Sequence, residues 1–208
     1  MESYQEINRR IRRIFKIRNQ PVAPFMGGYK SSRIDLAKLF GTLEYKIGAE
    51  IGVWKGEYSK VLFDNIDGLK LILVDPWAAY NKMTDVKMEP LYEKCKKRLK
   101  GFDAEYMRMT SMEAAAIVPD GSLDFVYIDG LHEFDPVMRD IIYWSRKVRP
   151  GGIIAGHDYY EFYQGGVIQA VNAYTRAHNI NDWYLTTAEP HPTWFWVQKE
   201  SYQHGYSF

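Results

Sequence analysis

The chain has 208 residues, Lys and Arg 27 against Asp and Glu 26 for a net charge of +1, and a hydrophobic share of 46%. That length suits one domain whose core needs no metal or disulfide staple, and the near-zero charge argues against a general nucleic-acid coat or an acidic tail. The single cysteine, Cys95, has no internal partner, so a disulfide framework is excluded and a reducing, cytoplasmic setting is expected. No apolar run reaches a membrane span, and the first residues carry Arg where a signal peptide needs an apolar stretch, so no membrane partner is expected.

In chain order, Tyr4, Ile7, Ile11, Ile14 and Phe15 stand at helical spacing with Arg9, Arg10, Arg12, Arg13 and Lys16 between them. This predicts an amphipathic basic helix from Tyr4 to Arg18. Its plain reading is a helix packed on the domain or on a partner subunit with a solvated basic face; the sharper one is a membrane-surface or nucleic-acid contact. A loop with Pro21, Pro24, Gly27 and Gly28 follows, so residues 1–30 read as an extension and 31–208 as the main domain.

From residue 45 short apolar strands alternate with helices. Strands are expected at Lys46–Val53, Leu69–Val74, Glu105–Met109, Leu123–Ile128 and Gly152–Ala155, with Trp183–Thr187 and Trp194–Val197 as a closing hairpin pair. Helices are expected at Glu57–Asn65, Glu89–Lys100, Ser111–Ile117, Pro136–Lys147 and Gly166–His178, and the loop Pro76–Pro90, with Trp77, Tyr80, Met83 and Met88, is long enough for a lid. The pattern predicts an α/β fold: a doubly wound, mostly parallel sheet of seven strands with an N-terminal helical extension.

In such sheets ligands bind beyond the carboxyl ends of the strands. After the first strand, Gly52 and Gly56 permit a tight turn and close backbone approach, and Glu50 suits a cationic ligand. The spacing is neither the dinucleotide fingerprint nor a phosphate loop. Asp75 follows the second strand, at the place where an acid accepts from ribose hydroxyls; a turn or cap aspartate is the plain alternative. After the third strand Ser111 can cap a helix and Met112 can lie on a flat ring. The fourth ends in Asp129-Gly-Leu-His132 and the fifth in Gly156-His157-Asp158-Tyr159. Acids at adjacent strand ends hold a hard cation or raise each other's pKa, and His132 has the proton affinity of a general base.

These strings resemble a class I S-adenosylmethionine-dependent methyltransferase. GAEIGVWKGEYS is similar to that fold's first motif in its E-x-G-x-x-x-G form, LILVDPW to the second, and SLDFVYIDGLHEFDPVMRDI with VRPGGIIAGHDY to the fourth and fifth regions. The resemblance spans residues 45 to 198 and points to the group of macrocin-type sugar O-methyltransferases and cephalosporin hydroxylase-like proteins. It implies S-adenosylmethionine as cofactor and a small-molecule hydroxyl acceptor, sugar or phenol. It implies cofactor contacts from Glu50, Gly52, Gly56, Asp75, Trp77, Ser111, Met112 and Asp129. It also implies Asp129 and Asp158 as ligands of a cation such as Mg2+, and His132 as the catalytic base working with Asp129.

Relatives that use a metal carry a third ligand beside the fifth-strand acid, where this chain has His157 and Tyr159. A cation would therefore bind through water or with His157, or be absent. Two other classes stay open. Amino-directed nucleic-acid methyltransferases carry Asn/Asp-Pro-Pro-aromatic where this chain reads Asp129-Gly-Leu-His, which makes nucleic acid a poor expectation. The other is a cofactor-binding protein without methyl transfer, or a hydroxylase-like relative. The aromatic C-terminus Trp194, Phe195, Trp196, Tyr202, Tyr206 and Phe208 suits core or interface packing before an acceptor pocket, and with the N-terminal helix it is a candidate homo-oligomer surface. Cys95 has no assigned role, and His178, His191 and His204 read as surface residues.

Overall fold

The computed structural model describes residues 2–18, 20–79, 85–162 and 165–199. Tyr80 and Met83 of the expected lid, His204, and the aromatics Tyr202, Tyr206 and Phe208 lie outside these residues. Among the described residues, strands β2 (Ile47–Ile51), β3 (Lys70–Val74), β4 (Asp103–Met107), β5 (Leu123–Ile128) and β6 (Val148–Gly156) run parallel. β7 (Trp183–Leu185) and β8 (Trp194–Val197) form the antiparallel pair, β8 lying beside β6. The order is β1-β7-β8-β6-β5-β2-β3-β4, so the order in which strands are added reverses between β2 and β5, the switch point where a crevice opens.

Eight strands rather than the expected seven form this sheet. The extra one is β1 (Phe25–Met26), two residues pairing with β7 in the Pro- and Gly-rich stretch expected to be loop. A helix also went unexpected, α2 (Arg33–Thr42), which opens on a capping box between Ser32 and Asp35 and buries Leu36, Ala37, Leu39 and Phe40. The remaining helices are α1 (Tyr4–Ile14), α3 (Glu57–Asn65), α4 (Asp85–Arg98), α5 (Ser111–Ile117), α6 (Phe134–Ser145) and α7 (Val167–Ala177). α4 thus takes up residues 85–90 of the expected lid loop and continues through Pro90.

One face of the sheet is covered by α1 to α4 and the other by α5 to α7. α1 buries Ile7 and Ile11 in the same core as the strands, followed by its C-cap Phe15, whose ring lies 5.1 Å from Phe195. Tyr184 donates to Asn8 at 2.7 Å, and the Arg12 guanidinium stacks 4.0 Å from Phe25 while pairing with Asp182. The apolar face of α1 is therefore used inside its own chain, and so are Trp194, Phe195 and Trp196, all in the core. Among the described residues no helix is long and apolar enough to cross a membrane.

Asp124 ties the entry of the central strand to its neighbours. Its Oδ2 accepts the N–H of Lys46 at 2.6 Å and of Ile47 at 2.8 Å, while Oδ1 accepts from Arg149 at 2.7 Å beside the irregularity between β5 and β6. Replacing Asp124 with Ala strands two backbone donors and a guanidinium together. Asp124→Ala is expected to lower the unfolding free energy by about 2–3 kcal/mol in a denaturant titration, the scale of charged hydrogen bonds.

Candidate active site

The ends of β2, β3, β5 and β6 stay in register, and the ladder continues past them. Gly52 N–H donates to Val74 O at 2.9 Å, Asp129 N–H to Ile51 O at 2.7 Å and His157 N–H to Ile128 O at 3.0 Å. These bonds bring the glycine turn, Asp75, Asp129 and Asp158 to one edge. A cavity of about 770 Å3 opens there, with Gly52, Asp75, Ser111, Met112, Asp129 and His132 in its wall. Trp54 and Asp140, which carried no expectation from the sequence, line it as well.

The turn after β2 is held by Asp75. Its Oδ2 accepts from the N–H of Val53 at 3.0 Å and of Trp54 at 2.9 Å, and its Oδ1 from Trp77 N–H at 2.8 Å. Trp54 has a φ of 56°, so the turn needs this support. Gly52 takes φ +85°, and a Cβ there would collide with the Asp129 carbonyl, so only glycine lets the two strand ends close together. Asp75 is thus the turn aspartate as well as a wall of the cavity.

Three residues expected to touch the cofactor are not in that wall, and Ser111, which is, does not cap its helix as the sequence allowed. Trp77 is 1% exposed; its indole N–H donates to Trp54 O at 2.8 Å and its ring packs on Tyr92 at 4.8 Å, so it anchors the loop in the core, away from the cavity. Gly56, at φ +69°, N-caps α3 and makes room for Cys95 and Leu99 of the α4 segment. Glu50 is buried beneath the turn, where its Oε2 accepts the Ser59 hydroxyl. Burial, opposed by Ser59 and reinforced by Asp129, pushes its carboxyl up to about 8. Ser111 is the first residue of α5 and not its cap. Thr110 is the cap, in a capping box with Glu113.

Asp158, at φ 59°, gathers three imidazoles. His132 Nε2 lies 2.9 Å from its Oδ2, while His191 Nδ1 at 2.9 Å and His157 Nδ1 at 3.3 Å face its Oδ1. Burial opposes ionisation of this carboxyl, but the hydrogen bonds from His132 and His157 win and hold it well below the usual range. In turn Asp129 and Asp158 raise the His132 pKa to about 10 against the cost of burial. His191, whose side chain is 44% exposed as a surface residue's would be, is nonetheless brought to Asp158 by the segment before β8, and its ring stacks 3.9 Å from Tyr160.

Asp129, His132 and Asp158 place one donor atom each within 4.8 Å of one another, a spacing that a single divalent cation can span. His157, the expected third ligand, stands outside that set; its ring lies against Tyr127 and His191, and its Nε2 is buried without a partner. An imidazole beside two carboxylates suits Mn2+ or another transition ion at least as well as Mg2+.

A family model described as a methyltransferase domain matches residues 49–159, more than half of the chain. An uncharacterized protein of Acanthamoeba polyphaga mimivirus is 26% identical over 129 residues, covering 59% of this chain and 56% of that protein. The chain therefore spans little more than half the length of that relative. The crystal structure of an O-methyltransferase from Bacillus cereus in complex with SAH is similar with a TM-score of 0.61 and 12% identity, covering 95% of this chain and 91% of that one. The O-methyltransferase TomG from Streptomyces achromogenes, involved in tomaymycin synthesis and solved with SAM, gives a TM-score of 0.58 at 13% identity over 95% of this chain and 90% of its own. At such identities the likeness is one of fold, while the family match rests on the strands and turns that build the crevice: the chain belongs to the methyltransferase-domain family.

Proposed function

We propose that the protein is an S-adenosylmethionine-dependent O-methyltransferase acting on a hydroxyl of a small molecule, sugar or phenol, with His132 as the general base. One observation carries this reading: a single cavity is walled by the glycine turn and Asp75 and also by Asp129 and His132. Methyl transfer is a displacement at a sulfonium carbon. The acceptor oxygen must stand behind the methyl group and lose its proton, and alignment in one enclosure supplies much of the rate.

Gly52 admits the backbone close to the cofactor. Asp75 has one lone pair left on Oδ1 after its three backbone bonds, enough for a ribose hydroxyl. Ser111 and Met112 flank the adenine, whereas Glu50, Gly56 and Trp77 act by shaping the turn. The set Asp129, His132 and Asp158 fits a divalent cation, which when bound supplies the charge that lowers an acceptor hydroxyl's pKa. His132 would act as base only when its ring is not a ligand: with a cation held by Asp129 and Asp158, those carboxylates would no longer hold the imidazole's proton, and its Nε2 would be free to take the acceptor's.

Titration calorimetry with S-adenosylhomocysteine, in Mn2+ or Mg2+ and again in chelator, tests the reading. Micromolar binding with a metal-dependent difference is expected, and no binding in either condition overturns it. His132→Ala is expected to lower turnover by about 10²–10⁴-fold while leaving S-adenosylhomocysteine affinity within a few fold; intact turnover with a large affinity loss would remove His132 from the role. Glu50 titrates above the ordinary glutamate range, so the stability it contributes is full below that range and is lost as pH rises through about 8. Glu50→Gln removes this proton, and its melting temperature should fall less than that of the natural protein between about pH 5 and pH 9. Equal slopes would place the titration elsewhere.

A further inference from the structure

Arg33 is the first residue of α2, and its main chain is fastened on both sides. Its N–H donates to Glu189 Oε1 at 3.0 Å, in the connection between β7 and β8, and its carbonyl accepts the Tyr58 hydroxyl at 3.0 Å. Tyr58 lies in the first turn of α3, directly after the glycine turn, so α2 presents its opening turn at the carboxyl edge of the sheet. The half-buried guanidinium lies over the buried Tyr58 ring, 5.2 Å from its centroid. Arg12 over Phe25 and Arg149 over Tyr45 are comparable, but each of those also meets a carboxylate, Asp182 at 3.0 Å and Asp124 at 2.7 Å. Among the described residues no carboxylate stands in ion-pair contact with Arg33. Glu189 spends its other oxygen on the Thr186 hydroxyl at 3.1 Å. A half-buried guanidinium left in this way calls for an anion from outside the chain.

Its surroundings say where that anion would sit. Burial works against the charge, but the Tyr127 hydroxyl and the Asp129 carboxylate face the guanidinium and hold its pKa above the ordinary arginine value. Arg33 therefore stands at the end of β5. Asp129 is also in the cavity wall, with its Oδ1 3.9 Å from His132 Nε2, whereas Arg33 is outside that wall. The region behind Asp129 is polar as well: the Tyr127 hydroxyl meets Thr193 at 3.1 Å, and His157, whose Nε2 is buried without a partner, lies beside the Tyr127 ring. A cation on Asp129 and Asp158 offsets their charge and leaves the field there to the guanidinium. Asp129 is thus the common neighbour of His132 and Arg33, and one small molecule can address both.

Resting on the reading that His132 and Asp129 serve an acceptor hydroxyl, we infer that Arg33 selects the acceptor: its guanidinium takes a carboxylate of the hydroxylated molecule, so that a hydroxy acid is preferred to its neutral counterpart. The planar fork matches a carboxylate in shape as well as in charge. The cofactor carries a carboxylate too, but the cavity assigned to it does not include Arg33.

Calorimetric titration of the full chain, loaded with S-adenosylhomocysteine and Mn2+, tests this with two matched pairs: protocatechuate against its methyl ester, and glucuronate against glucose. The acid of at least one pair is expected to bind tenfold or more tighter than its neutral partner, the scale of a charged hydrogen bond. Arg33→Gln should erase that preference, and Arg33→Lys, which keeps the charge and loses the fork, should retain part of it. S-adenosylhomocysteine affinity should stay within a few fold in both variants. The ratio of two ligands on one sample is insensitive to partial misfolding, and the preference of the natural protein needs no variant at all. No preference in either pair, or an unchanged ratio in Arg33→Gln, overturns the inference and leaves the cofactor reading standing. A large loss of S-adenosylhomocysteine affinity in Arg33→Gln assigns the guanidinium to the cofactor's own carboxylate and overturns the inference as well. Failure of the natural protein to bind S-adenosylhomocysteine overturns both.

Discussion

The carboxylate of Asp75 accepts three backbone N–H groups from two different loops, and the crevice depends on that convergence. Val53 and Trp54 belong to the turn after β2, Trp77 to the loop after β3, and a positive φ at both tryptophans makes each loop costly on its own. One anion fastens both. The Trp77 indole N–H returning to Trp54 O closes the same loop pair from the other side. The glycine turn is consequently preformed, with its backbone already aimed at the space a ligand would fill.

The other end of the crevice is organised by charge. Asp158 is a left-handed residue at a strand end surrounded by three imidazoles, and its carboxyl stays ionised because those rings face it. Asp129 and Asp158 together favour the protonated form of His132. The His132 proton therefore depends on what else Asp129 and Asp158 hold.

Much of this was legible in the sequence. The alternation of short apolar strands with helices gave the sheet and its direction, and the residues after each strand gave Gly52, Asp75, Asp129 and Asp158. What escaped did so for physical reasons. α2 opens on a capping box at Ser32 and Asp35, but its apolar residues are too few and too evenly spread around the helix to mark one face. Thr110 and Ser111 are equally good caps by type, and only the phase of α5 separates them. Trp77 turns into the core because of a backbone angle that no residue pattern announces. His191 reaches Asp158 across the antiparallel hairpin, a contact 33 residues apart with no ligand spacing to betray it. Asp140 is an acid on the apolar stripe of α6, and only the packing of α6 against α5 shows that it lines the cavity.

The antiparallel hairpin has a consequence for how such a site can change. The parallel strands carry the glycine turn, Asp75 and Ser111, whereas the segment entering β8 delivers His191 and steadies the other end. There Trp194 Nε1 donates to the His157 carbonyl at 3.1 Å, and Tyr159 N–H to Pro192 O at 3.0 Å. The connection between β7 and β8 reaches only one half of the crevice. Insertions or substitutions in it can redraw the half around Asp158 while the opposite half keeps its shape, so inheritance of the one and divergence of the other are built into the order of the strands.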